Sequence, residues 1–157
     1  MHILMCNDDG ILADGLRHLA SYLSQYYRIT VVAPANEQSA KSHALTTEVP
    51  LKLDACNGED ENPRLYALTG TPSDCMKFGL SYLLTDDMPD LVISGINHGF
   101  NLGSDVLYSG TVSAAMESGF YGIPGLALSV ERYSVERGDE MHPFIHELIE
   151  KIYVAGQ

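Results

Sequence analysis

The chain opens on a short apolar run, His2-Ile3-Leu4-Met5-Cys6, that stops at Asn7-Asp8-Asp9-Gly10, the pattern of a buried strand feeding a turn. From Asp14, read as an N-cap, Leu16, Leu19, Ala20 and Leu23 recur at helical spacing as far as Tyr27. Ile29 to Ala33 is a second apolar strand, closed by Pro34, and strand, helix, strand at this spacing predicts a right-handed βαβ unit. Val49 to Leu53 and Leu65 to Leu68 predict the arms of a protruding β-hairpin around the polar stretch Asn57 to Pro63, and Pro50 assigns it to an edge. Pro72 opens a helical pattern through Met76, Leu80, Leu83 and Leu84, and Asp90 to Ser94 is a strand between Pro89 and Gly95. A helix from Gly110 to Phe120, a strand from Gly125 to Val130 and an amphipathic helix from Pro143 to Val154 complete the pattern. Such alternation, with near-continuous apolar strands, predicts an α/β fold: a doubly wound, mostly parallel, Rossmann-like sheet.

Composition narrows this further. A chain of 157 residues suits one domain over 1–157, and 45% hydrophobic against 19% charged content excludes disorder. No apolar run approaches the ~20 residues of a spanning helix, so no membrane partner is expected. The acidic turn directly after Cys6 leaves no room for a signal peptide, which predicts a cytoplasmic address. Nine Lys plus Arg against 21 Asp plus Glu give a net charge of -12, which argues against stable nucleic-acid binding. Glu59, Asp60, Glu61, Glu136, Asp139 and Glu140 are read as solvated loops and a helix start. Cys6, Cys56 and Cys75, odd in number and without C-x-x-C spacing, are expected to be reduced thiols.

Ligands of such folds sit beyond the carboxyl ends of the strands, so the residues there carry the functional reading. Asn7-Asp8-Asp9-Gly10 places two carboxylates side by side, which either bind a divalent cation that offsets their repulsion or cap a turn with Gly10 at positive φ. Ala33 to His43 is hydroxyl-rich, which fits a ligand loop or an N-capped helix start. Gly95-Ile96-Asn97-His98-Gly99-Phe100-Asn101-Leu102-Gly103 offers amide oxygens for a hard metal, or simply left-handed turns. Tyr108-Ser109-Gly110-Thr111-Val112 opens a helix, a phosphate cradle or a plain Ser/Thr cap. It is not a Walker loop, because no Lys follows the glycine.

Five segments taken in order resemble the SurE survival-protein family. They are Asn7-Asp8-Asp9-Gly10-Ile11; Ala33-Pro34 with Ser39; Gly70-Thr71-Pro72-Ser73-Asp74-Cys75; Pro89 to Asn97 with Gly99 and Asn101; and Tyr108 to Val112 with Ala114-Ala115-Met116-Glu117. The resemblance implies a metal-dependent 5'(3')-nucleotidase that hydrolyses nucleoside monophosphates to nucleoside and phosphate. It implies one divalent ion per subunit, Mg²⁺ or Mn²⁺, on Asp8, Asp9, Ser39 and Asn97, with Asp8, Asp9 and Asn97 as the catalytic set. It puts phosphate on Ser109, Gly110 and Thr111, with Asn101 nearby. Where family members often have a basic residue and a glycine around the serine, Gln38 and Ala40 flank Ser39. The family normally continues past the position of Gln157 into a segment that builds the oligomer. A truncated chain is therefore expected, with Ile145, Leu148, Ile149 and Ile152 partly exposed, and a homodimer or homotetramer as the assembly.

In the implied reaction a metal-activated water attacks phosphorus in line and the helix start stabilises the equatorial oxygens. Asp8 or Asp9 as nucleophile or general base stays open, and His43 and His98 are candidates to protonate the leaving alkoxide. A side chain at Gly110 is expected to crowd the anion and leave the metal in place. Two alternatives fit less well. A haloacid-dehalogenase phosphatase would need an acid at Asn7, and a phosphoacceptor receiver domain would need Asp where Ser94 stands and a Lys in Gly125 to Ser129.

Overall fold

Strand β1 (His2–Cys6) is buried at all five positions, and the whole architecture is built outward from it. The computed structural model describes residues 1–38 and 43–155. After β1 come α1 (Asp14–Leu23), β2 (Arg28–Pro34), β3 (Leu53–Ala55), β4 (Arg64–Leu68) and α2 (Pro72–Phe78), which runs on into a π-helical turn, Gly79–Leu83. Then follow β5 (Leu91–His98), a 3₁₀ turn at Gly103–Tyr108, α3 (Gly110–Glu117), a second 3₁₀ turn at Ser118–Tyr121, β6 (Gly125–Val130) and α4 (Val135–Ala155). The sheet order among the described residues is β3-β4-β2-β1-β5-β6. Every pairing is parallel except β3 with β4, so the predicted hairpin forms the sheet's antiparallel edge and its second arm belongs to the parallel sheet.

Side-chain alternation along β1 splits the core in two. Ile3 and Met5 face α1 and α4 through Leu16, Leu19, Leu23, Ile145 and Ile149. Leu4 and Cys6 face the other way, onto Cys75, Met76 and Leu80 of the α2 segment and Ala114 of α3. Helix α2 begins at a capping box: the Thr71 hydroxyl accepts from the Asp74 N–H at 3.1 Å, and Asp74 Oδ2 accepts from the Thr71 N–H at 2.8 Å. Chain order turns about β1, with β2 on one side and β5 on the other. The crevice between the carboxyl ends of β1 and β5 is thus the topological switch point, where such folds bind ligands.

Several boundaries differ from expectation. Helix α1 ends at Leu23 rather than Tyr27, and Asp14 is its first residue, with Ala13 at the N-cap and no side-chain cap. The first hairpin arm is Leu53–Ala55, not Val49 to Leu53. Strand β5 runs to His98 instead of stopping at Ser94, because a bulge between Ser94 and Asn97, with Gly95 at φ +124°, lets pairing with β6 resume at Asn97 and His98. Helix α3 ends at Glu117, and the expected last turn to Phe120 is 3₁₀. Helix α4 starts at Val135, where the Ser134 hydroxyl accepts from the Arg137 N–H at 3.3 Å, and Pro143 lies inside it on the exposed side. Of the four residues expected to be partly exposed, Leu148 and Ile152 are, whereas Ile145 and Ile149 are buried in the core.

Candidate active site

The turn after β1 is closed by Asn7, not by either aspartate. Asn7 Nδ2 donates to the Gly10 carbonyl at 3.0 Å and Oδ1 accepts from the Gly10 N–H at 3.1 Å, with Gly10 at φ +100°. Both carboxylates are therefore left for other work. The Asp8 carbonyl accepts from the Gln38 N–H at 2.8 Å, which ties the loop after β2 to this turn. Ser39 lies outside the described residues.

Asp8 is buried, and its Oδ1 accepts a 2.7 Å hydrogen bond from the Thr111 hydroxyl at the start of α3. Burial raises its carboxyl above the ordinary value, and the Thr111 bond works against that rise. Asp9 is half-buried and is also raised, first by burial and then by the Asp8 charge, while the His98 backbone N–H bonds to it and opposes the shift. Two adjacent carboxylates both pushed toward protonation form a site short of positive charge. A Cβ on Gly110 would lie 2.9 Å from Asp8 Cβ and 3.2 Å from Asp8 Oδ2, so the helix start can approach the carboxylate only because position 110 has no side chain.

Ser109 is the N-cap of α3: its Oγ accepts from the Val112 N–H at 3.1 Å, which leaves the hydroxyl proton to donate elsewhere. The Thr111 side chain is fully buried and directed to Asp8, so only its backbone N–H, with that of Gly110, belongs to the helix end. Asn97 Nδ2 donates to the Gly99 carbonyl at 2.8 Å, which occupies the nitrogen end and leaves the oxygen as the end for a ligand. Asn101 Nδ2 is held by Ser129 Oγ at 2.7 Å. Asp9, Asp14, Ile96, His98 and Tyr133 line a cavity of about 200 Å³ beside the turn.

Sequence reasoning missed one pair. His43 Nε2 lies 2.6 Å from Oε2 of Glu117, a buried glutamate at the end of α3. The signal was present, because an acid closes the otherwise small and apolar run Ala114-Ala115-Met116.

The geometry defines the class first: a doubly wound α/β protein with a carboxylate pair and a helix N-terminus meeting at its switch point. Comparison with known proteins then gives the family. The profile of Survival protein SurE matches residues 3–156, and the chain belongs to the SurE family. A 5'-nucleotidase SurE of Thermoanaerobacter sp. (strain X514) is 49% identical over 156 residues, covering 99% of this chain and 61% of the relative. One from Vibrio vulnificus (strain YJ016) is 50% identical over 130 residues, 83% of this chain and 49% of that protein. The crystal structure of the SurE protein from Aquifex aeolicus superposes with a TM-score of 0.82 at 38% identity, covering 98% of this chain and 60% of that one. The chain thus spans about 60% of the length of most such relatives. No described helix is long and apolar enough to cross a membrane.

Proposed function

We propose that this chain carries the metal- and phosphate-binding half of a divalent-metal-dependent 5'-nucleotidase, which hydrolyses nucleoside monophosphates to nucleoside and phosphate. One observation carries the reading: the 2.7 Å bond from Thr111, in the first turn of α3, to Asp8. A helix N-terminus attracts anions, whereas a carboxylate pair repels them. The two belong in one site when a cation lies between the carboxylates and a bound phosphate.

The donor set fits a hard divalent ion: carboxylates from Asp8 and Asp9, the amide oxygen of Asn97 and the hydroxyl of Ser39, hence Mg²⁺ or Mn²⁺. When bound, the ion supplies charge neutralisation at the phosphoryl oxygens and a water acidic enough to attack. The chain's own residues do the rest. Thr111 orients Asp8; the Gly110 and Thr111 N–H groups and the Ser109 hydroxyl meet the phosphate; Asn101, braced by Ser129, stands at the rim. His43 is engaged by Glu117 and His98 lines the cavity beside Asp9, so protonation of the leaving oxygen falls to His98.

Asn7, at the position a haloacid-dehalogenase nucleophile would take, is used in closing the turn, which argues against that alternative. The same reading includes a homodimer or homotetramer and a cytoplasmic site of action, which the free thiols of Cys6, Cys56 and Cys75 suit. The test is phosphate release from 5'- and 3'-nucleoside monophosphates after chelation and after adding back Mg²⁺ or Mn²⁺. Turnover should need the added metal and vanish in Asp8→Asn. Full turnover in chelator, or in Asp8→Asn, refutes the reading.

A further inference from the structure

His142 sits on the inner face of α4 at 1% exposure, and neither of its ring nitrogens has a hydrogen-bond partner. Leaving a buried N–H and a buried lone pair both unmatched is costly, and a leucine at this position would avoid the loss. Its ring packs at 5.0 Å from the Tyr22 ring and edge-on to His18 at 4.7 Å, contacts that satisfy its carbon faces and leave both nitrogens unanswered.

We propose that His142, with His18 and Asp139, forms a second metal site at the α1–α4 interface, for a zinc-like divalent transition ion. One ligand atom from each of the three lies within 4.8 Å of the others. Asp139 and His142 are three apart on α4 and share a face, while His18 reaches across from α1. His18 Nε2 is already 3.2 Å from Asp139 Oδ1, close to the about 3.3 Å edge of a tetrahedron with bonds of ~2.0–2.1 Å. The remaining ligand separations, within 4.8 Å, need only shorten toward the same edge length to complete a three-ligand face.

The outer contacts have the form such a site requires. With Nε2 turned to the ion, His18 carries its proton on Nδ1, which sits 2.9 Å from the Tyr133 hydroxyl oxygen; this second bond fixes ring and tautomer. Gly138 makes room for it, because a Cβ there would lie 2.5 Å from that hydroxyl and 3.0 Å from His18 Nδ1. Two imidazoles and one carboxylate favour Zn²⁺ or Co²⁺ over Mg²⁺, the opposite preference to the oxygen set around Asp8. Asp139 is exposed, so the fourth position opens to water. The ion would staple α4 to α1, and Tyr133 would pass the constraint to the cavity beside Asp9.

The experiment is a Co²⁺ and Zn²⁺ titration of the whole chain with millimolar Mg²⁺ present, read by the visible absorption of low-symmetry Co²⁺, by calorimetry and by thermal melting. The expected result is one equivalent with a tetrahedral-type Co²⁺ spectrum, displaced by Zn²⁺, and a raised melting temperature. His142→Leu should remain folded and lose at least 100-fold in affinity together with the spectrum. His18→Gln, at a half-exposed position, is the second variant and should lose at least tenfold. Asp8→Asn should leave the spectrum unchanged. A spectrum that survives both histidine substitutions, one lost in Asp8→Asn alone, or no Co²⁺ band in the unaltered chain would overturn the proposal.

Discussion

Thr111→Val isolates the contact on which the site depends. Valine keeps the β-branched shape at a fully buried position and removes only the hydroxyl that donates to Asp8 Oδ1 at 2.7 Å. A hydrogen bond to a charged acceptor contributes about 1.5–3 kcal/mol, and here the carboxylate left behind is itself buried. In metal-free protein the loss should be about 2 kcal/mol, or about 4–8 °C in melting temperature for a chain of this size. The Thr111 bond also opposes the rise in the Asp8 carboxyl, so without it that group holds its proton to higher pH. A protonated Asp8 does not need the lost donor as an anion does. The deficit should therefore be smaller at pH 5 than at pH 8. Removing the partner that orients a ligand typically lowers metal affinity 10- to 100-fold, so Mn²⁺ calorimetry should show about 1.4–2.7 kcal/mol less binding energy. Thr111→Ser should restore most of both. If the valine variant unfolds at the same urea midpoint in chelator and binds Mn²⁺ as tightly, Asp8 is not held by α3 and the link between carboxylates and anion cradle fails.

Asp9→Asn removes one of two like charges: the raised Asp9 carboxyl gives the metal-free fold stability that is full below the unfolded value and is lost as pH rises through the folded one. At pH 7.5 the variant should therefore match or exceed the native unfolding free energy in chelator, by about 1 kcal/mol at most after solvent screening, while losing metal-dependent activity; a large loss of metal-free stability would contradict this. Gly110→Ala should weaken phosphate and Mn²⁺ binding together and destabilise by about 1–3 kcal/mol, since its Cβ meets Asp8 Cβ at 2.9 Å; unimpaired Mn²⁺ affinity would show that the helix start is not packed on the ligand. This revises the expectation that a side chain at 110 spares the metal. His2 is buried and neutral, with Nε2 at 2.9 Å from Thr30 Oγ1 and Nδ1 at 3.1 Å from the Asp87 carbonyl, and burial, followed by the Arg28 charge, lowers its proton affinity. Its contribution is present above pH 6.5 and is lost as pH falls below that value, so urea midpoints should decline from pH 7 toward 5; burial also pushes His142 down to about 4, which adds to the same decline, so His2→Gln should lessen the slope without abolishing it, and an unchanged slope would remove His2 as a source.

What the sequence makes legible follows from where each residue's partners lie. Strand β1 and the turn after it are local matters: five buried residues, then Asn7 bonding Gly10 three positions on, so pattern and turn chemistry suffice to place two carboxylates at a strand end. The far part of β5 is not local. Gly95, Asn97 and His98 have loop composition, and they are strand only because β6, some 30 positions later, offers Ser129 and Val130 as partners across the bulge. Helix α4 hides its start for a related reason: Pro143 reads as a first-turn residue, yet on an exposed face its missing N–H and its clash with the preceding turn can be absorbed toward solvent.

The site divides along the same line. Asp8, Asn97 and Gly110 are visible because each follows an apolar strand run within a few residues or opens a helix, positions that chemistry favours whatever the partner. Thr111 has two groups, a backbone N–H that any helix start would supply and a hydroxyl whose role depends on Asp8, 103 residues earlier. Sequence pattern supplies the first, whereas the second, a donor to Asp8, emerges only from the fold. The difference matters for mechanism, because a threonine that donates to phosphate would be sensed only with substrate bound. A threonine that orients a carboxylate acts before substrate arrives. Substitution at Thr111 should therefore lower metal affinity in the absence of nucleotide, which separates these two roles in a single titration.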